Sequence, residues 1–415
     1  MGDEGFPGNL LIEREKRICD AIALSEPDRV PVMSMFGFLP ARLAGITYEE
    51  AMYDYDKTMQ AWIEAMALFQ PDTYDDPFTS RFWGRIMERL DYRQMRWPGH
   101  GVGLNLSYQY VENEYMGAEE YEDFLADKSY FILTRYWPRI FESLKAFEKL
   151  PPPPCLYSYS AFSKLASLDT PEIEKAVQSL MNAAKEARKM LSGSASFAEA
   201  MKQLGFPPQY GSMTHAPFDV VSDFFRGIVG AMLDIHRVPD KLIDAVESMY
   251  HNMLQNGLAA LRTGVHRVFV PVHKGADSFM SQEQFEVFYW PTLKRLIFEL
   301  IDNGLTPFVF WEGDCTSRLE LIGDMPKGKV VYMFEETDIF RAKEILGDVV
   351  CIRGNVPISI LMMGNADDVK ACCKRLIDVV GKNGGFIMDA SSNLDDAKPG
   401  NVKAMFEFTK DYGRY

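Results

Sequence analysis

Three polar side chains, Glu312, Asp314 and Cys315, follow directly on the apolar run Pro307-Phe308-Val309-Phe310-Trp311. A run of that kind reads as a buried parallel strand, and the polar groups stand where it leaves the core. Polar groups end other apolar runs in the same way. His273, Lys274 and Asp277 follow one, Glu335-Glu336 another, then Arg353-Gly354-Asn355, Asp389 and His215. An ionised carboxylate at the end of an apolar strand is costly without a partner, so Glu312 is either a functional group or half of a salt bridge. His273 reads as a metal ligand or acid–base group, or else as a helix cap. Cys315 reads as a ligand or as a buried thiol. Alternation sends one of Glu335 and Glu336 inward, and Glu335 is the one expected. His215, before Ala216-Pro217, is a pocket residue or a turn residue.

The elements that must carry these groups alternate along the chain. Apolar runs at Val30–Phe36, Pro71–Asp76, Pro208–Thr214, His266–Val272, Leu305–Trp311, Lys329–Phe334, Val349–Ile352 and Gly385–Met388 are eight expected strands. Helical stretches at 9–24, 48–69, 219–261, 281–303, 338–346, 366–381 and 398–412 fill the gaps. Eight strands with helices between them predict an α/β fold, a (β/α)8 TIM barrel whose active site lies at the carboxyl ends of the strands. A doubly wound open sheet is the competing architecture, but no glycine-rich phosphate loop accompanies it. The stretch 80–205 breaks the rhythm. It reads as an insertion between strands two and three within a single domain, 1–415, with a hairpin at 104–111, helices at 118–149 and 171–204, and a stiff spacer at Pro151–Pro154. Its aromatic residues, Trp83 and Trp97 among them, are either a lid or the insertion's own core. Met33 and Met35 are expected on the pocket floor.

The composition narrows the partners. A net charge of −15 argues against nucleic acid and anionic lipid. No apolar run reaches the roughly 18 residues that span a bilayer. The first residues lack the basic start and apolar core of a signal peptide, and Phe6 stands where a myristoylation motif wants Ser or Thr. Six cysteines, with Cys372 and Cys373 adjacent, read as reduced thiols, so a cytoplasmic protein is expected.

Pro27-Asp28-Arg29-Val30-Pro31-Val32, Ala216-Pro217-Phe218-Asp219, Gly354-Asn355-Val356-Pro357, Gly384-Gly385-Phe386-Ile387 and Pro399 to Met405 together resemble the uroporphyrinogen decarboxylase superfamily. That superfamily holds decarboxylases and methyltransferases that exchange methyl groups with a corrinoid. The decarboxylases carry an arginine-rich segment where this chain reads Met33 to Pro40, without arginine. The methyltransferases that act on a thiol hold zinc with a His-x-Cys and a later Cys. Those positions fall here at Phe310, Glu312 and near Ser392.

The resemblance therefore implies a corrinoid-dependent methyltransferase that demethylates a small methylated donor, a methoxylated aromatic for instance. The acceptor would be a corrinoid (cobalamin) carried by a separate protein, since no DxHxxG motif is present. A decarboxylase-like lyase is the alternative, and a catalytically idle scaffold a third reading. The expected catalytic residues are His273, Glu312 and Glu335. Zinc is expected on His273, Glu312 and Cys315. Substrate contacts are expected from Met33, Met35, Trp83, His215 and Asp389. A second copy of the chain is a further candidate partner.

Overall fold

In the computed structural model, which describes residues 7–152 and 159–415, a six-stranded parallel sheet and a small three-stranded sheet are surrounded by helices. The reading of residues 1–6 and the far end of the proline spacer lie outside the described residues. The small sheet joins β1 (Met95–Pro98), β2 (Gly101–Val102) and β3 (Gln109–Tyr110) in the order β2-β1-β3. The large sheet holds β4 (Ser212–Met213), β5 (Arg267–Val272), β6 (Thr306–Trp311), β7 (Val331–Phe334), β8 (Cys351–Arg353) and β9 (Phe386–Ile387), paired in chain order.

The first two expected strands are present as extended segments joined by single bridges. Val32 bridges Met388 and Tyr74 bridges Pro208, both in parallel. Met33 N–H donates to Met388 O at 3.0 Å, Asp72 N–H to Val32 O at 2.8 Å, and Gln209 N–H to Tyr74 O at 3.0 Å. These contacts carry the pairing from β9 through residues 32 and 72–74 back to the segment that begins β4, so the domain is TIM-barrel-like. Regular ladders fail there for a local reason. Pro31, Pro207 and Pro208 have no N–H to give, and the Asp72 carboxylate takes the Val32 N–H at 2.7 Å.

Alternation along the strands separates two apolar layers. Val268, Val270, Val272, Val309, Trp311, Tyr332, Ile352 and Met388 face the surrounding helices. Met33, Phe308, Phe310, Val331, Met333, Cys351 and Ile387 pack together inside the sheet, with Met35, Tyr210 and Phe269 against them. Both faces are dry, which is why these strands read as unbroken apolar runs. Continuing the inner register by two residues past Phe310 and Met333 gives Glu312 and Glu335. The fold therefore aims these carboxylates at the opening above the inner cluster.

The excursion after residue 80 differs in detail from its expected form. Its antiparallel pair joins Gln109–Tyr110 to Met95–Pro98, with Met95 opposite Tyr110, instead of closing a hairpin within 104–111. Helix Pro171–Gln203 forms as expected, while 118–149 breaks into short helical turns. The long helix expected at 281–303 is also segmented, and Pro291 opens its last part, Trp290–Asp302.

Candidate functional site

The site is built on the carboxyl ends of β5, β6 and β7 and on the turn after β4. Val272 is the last residue of β5, and His273 and Lys274 follow it. Their main-chain N–H groups donate to the two oxygens of Asp219, at 2.8 and 3.1 Å, and the Tyr289 hydroxyl donates to the same carboxylate at 2.6 Å. Asp219 thus fixes the backbone on which His273 stands. Burial, then the neighbouring charge of Asp223, push its carboxyl up.

Asp223 fixes the ring. His273 Nδ1 donates to Asp223 Oδ2 at 2.6 Å, and Lys274 Nζ pairs with Asp223 Oδ1 at 2.9 Å. With Nδ1 so engaged, Nε2 is turned to Glu312, whose Oε1 lies 3.7 Å away. Burial works against a charged imidazole, yet the hydrogen bond to Asp223 and the charges of Asp219 and Glu312 outweigh it, and the His273 pKa rises to about 9. Burial tends to raise Asp223 too, but His273 and Lys274 together hold its carboxyl below the ordinary value. Glu312 is pushed up to about 7, by burial and by Glu335 against the pull of His273. At neutral pH the site holds a cationic imidazole beside a carboxyl that titrates in the working range.

Glu335 is half-buried and Glu336 exposed, as alternation required. The Glu335 Oε2 accepts from Gly313 N–H at 2.9 Å, which ties the tip of β7 to the turn carrying Glu312. Gly313 makes that turn at φ 71°, a conformation that suits glycine. His215 faces His273, ring centroids 6.2 Å apart. Burial and the His273 charge lower its pKa to about 4, so it is neutral at pH 7.

The other expected site residues are placed in different surroundings. Cys315 is fully buried, its Sγ facing Gly275 O at 3.8 Å, and burial raises its thiol to about 12. Its backbone N–H donates to Thr337 Oγ1, so the chain has already turned away from Glu312. Asp389 is deep in the sheet interior, paired with Arg353 at 2.9 Å and accepting from Ser34 at 2.7 Å. Met33 and Met35 belong to the inner apolar cluster. Trp83 is half-buried, with its ring 5.7 Å from Tyr108. Trp97 is buried, donates to the Tyr53 hydroxyl at 3.0 Å and stacks on His100.

Asp219 and Asp223 escaped the sequence reading. Two carboxylates four residues apart at a helix start, just after a strand, were the available signal. Tyr110, from the small sheet, also enters this region. Its side chain is exposed, with the ring centroid 6.3 Å from that of Tyr108.

A family model for uroporphyrinogen decarboxylase (URO-D) matches residues 152–412, which is more than half of the chain. The chain belongs to the URO-D family. Curated relatives named uroporphyrinogen decarboxylase come from Chlorobium phaeovibrioides, 28% identical over 158 residues, and Chlorobium luteolum, 27% identical over 158 residues. Each match covers 35% of this chain and 44% of the relative, so the chain spans less than half the length of these URO-D proteins. A solved structure of a methyltransferase from Methanosarcina mazei has a similar fold, at a TM-score of 0.59 and 14% identity, covering 96% of this chain and 98% of that one. The expected architecture is thereby borne out as a URO-D-type, TIM-barrel-like domain. Among the described residues, no helix is long and apolar enough to cross a membrane.

Proposed function

We propose that this URO-D family member is a methyltransferase that takes a methyl group from a small methylated donor, such as a methoxylated aromatic. The acceptor in this reading is a reduced corrinoid carried by a separate protein. The observation that carries the reading is the Asp223–His273–Glu312 array, which holds a protonated imidazole with Nε2 directed toward the mouth. The likeness of fold to the Methanosarcina methyltransferase over nearly the whole of both chains supports it.

The chemistry follows from the charges. A methyl ether gives up its methyl group with difficulty because the leaving oxygen must accept the C–O electron pair. His273 Nε2–H donates its proton to that oxygen as the bond breaks, so an alcohol or phenol leaves instead of an anion. The corrinoid supplies the electron pair that takes the methyl group. Asp223 keeps Nδ1–H in place and stabilises the imidazolium, and Asp219 holds the His273 backbone so that the proton is presented in one direction. Glu312, near its own titration point, returns a proton to His273 between turnovers.

The expected zinc finds only part of a ligand set at this site. His273 Nε2 and Glu312 Oε1, 3.7 Å apart with Asp223 behind the imidazole, resemble half of a zinc site with its orienting carboxylate. A catalytic zinc takes three protein ligands as a rule. Cys315 points away, and among the described residues no three His, Cys, Asp or Glu side chains are grouped to hold a metal ion. The donor set does not fit a zinc ion. A polycarboxylate substrate fits the mouth poorly as well, since Asp219, Asp223, Glu312 and Glu335 gather there, which weighs against the decarboxylase alternative.

The test is turnover of methyl ethers with a panel of reduced corrinoid proteins and with free cob(I)alamin at equal concentration, followed by the absorbance change on methylation. Transfer to a carrier protein well above that to free cobalamin is expected. If no corrinoid accepts methyl from any ether, the reading fails.

A further inference from the structure

Close to the His273 array, the segment that follows Asp75 and Asp76 carries a buried cation that no carboxylate pairs directly; Asp75 and Asp395 act on it only through longer-range charge. Arg81 is 7% exposed. Its Nη1 donates to Ser80 O at 2.6 Å and its Nη2 to Asn393 Oδ1 at 3.3 Å, while Nε is buried without a partner. No ion pair within 4 Å reaches it among the described residues, and its two hydrogen bonds go to uncharged oxygens. Arg226, Arg318 and Arg353 are as deeply buried, and each holds a carboxylate, Asp234, Asp277 and Asp389 respectively. Arg14, which also lacks one, spends its donors on Leu204 O, Gly205 O and Gln70. A buried guanidinium with an open donor is costly unless something else supplies the acceptor.

What surrounds it is aromatic. The Arg81 Cζ lies 5.5 Å from the Phe38 ring centroid and 5.8 Å from that of Tyr108. Trp83 and Tyr110 pack on Tyr108 at 5.7 and 6.3 Å. Asn393 comes from the loop after β9, and Arg81 from the loop after the second strand, so the cluster sits on the same carboxyl-end face as His273 and Glu312. Tyr110 links the two, since its hydroxyl feels Arg81 as well as Asp223 and Glu312. The nearby carboxylates have other commitments. Asp75 accepts the Phe36 N–H at 3.1 Å, and Asp395 accepts the Phe38 N–H at 2.5 Å.

We propose that Arg81, with Phe38, Tyr108 and Asn393, forms an anion subsite at the barrel mouth that receives a carboxylate borne by a flat aromatic methyl donor. This rests on the methyl-transfer reading of the same mouth and adds its substrate class. The guanidinium offers a planar fork that matches a carboxylate, Phe38, buried and stacked on Tyr48, backs it, and the half-buried Tyr108 ring takes the donor's apolar face. In a chain of net charge −15, one local cation with an open donor is what admits an anion here. Burial pushes the Asp75 carboxyl up, which weakens its repulsion of such a guest.

The experiment is calorimetric binding of 4-hydroxybenzoate and of 4-hydroxybenzyl alcohol, a pair alike in size and differing in charge, to the whole chain without corrinoid. Charge-assisted hydrogen bonds are worth enough to give the acid about a tenfold or greater advantage in the wild type. Arg81→Gln is expected to erase that advantage and leave the alcohol unchanged, and Arg81→Lys to keep part of it. Near-ultraviolet circular dichroism checks that the variants fold. Should Arg81→Gln not fold, the wild-type ratio decides alone: equal affinities, or no binding of the acid, overturn the subsite. A folded Arg81→Gln that still prefers the acid overturns it too. If the acid binds through Arg81 and no methyl ether is ever demethylated, the subsite stands and the methyl-transfer reading falls. If ethers are demethylated with no preference for acids, the reverse holds.

Discussion

Replacing Asp223 by Asn separates the part of the His273 basicity that its partner supplies from the part due to the remaining carboxylates. The side chain keeps its shape and can still accept from Nδ1, but the full charge 2.6 Å away is gone. In the wild type the His273 pKa is about 9 against an ordinary value of 6.5. A return to the ordinary value would correspond to about 3.5 kcal/mol, from roughly 1.4 kcal/mol per pKa unit. Burial then acts against the cation with only Asp219 and Glu312 opposing it, so the variant's pKa is expected to fall below 9, toward 6.5.

The sign fixes the pH window. A histidine whose folded pKa is raised contributes stability that is fully present below about pH 6.5 and lost as pH rises through 9. Asp223→Asn should therefore lose stability below pH 9 and little above it. It should also move the alkaline limb of the activity profile downward. The assay is the titration of the His273 ring signal by NMR; the chain has six histidines, and a His273→Gln sample assigns the right one. An unchanged titration in Asp223→Asn would refute the claim that this carboxylate charges the imidazole.

Four further outcomes are expected. Cys315→Ala removes one buried atom, so it should cost about 1 kcal/mol in urea unfolding and leave activity as in the wild type; lost activity with the fold intact would return Cys315 to the site. Asp389→Ala strands the Arg353 cation inside the sheet, and a loss of about 3–5 kcal/mol is expected in the same assay; a loss below about 1 kcal/mol would mean the pair is dispensable. Trp97→Ala should lower stability with KM for an aromatic donor unchanged, because its ring is committed to Tyr53 and His100. Trp83→Ala should raise that KM severalfold, and the opposite pattern would exchange their roles.

The order of apolar runs and polar tips by itself determined the architecture, because parallel strands buried on both faces must be apolar throughout and can carry polar groups only where they end. Glu312, Glu335 and His273 were legible for that reason. The period of two that sends Glu335 inward and Glu336 outward was legible too. The first two strands were visible as runs, but their prolines reduce them to single bridges.

What surrounds each tip was decided only by the fold. Cys315 lies three residues beyond Glu312, yet the turn at Gly313 sends it into the core, and no spacing rule encodes that direction. Asp389 has the same sequence context as the other tips, but Arg353 from the neighbouring strand claims it below the mouth. Asp223 reaches His273 across 50 residues, and Arg81 is brought beside Asn393 across 312. Pairings at such separations follow from how strands are ordered around the sheet. Charge and burial at a site are therefore tertiary properties, even where the residue types are plain in the chain.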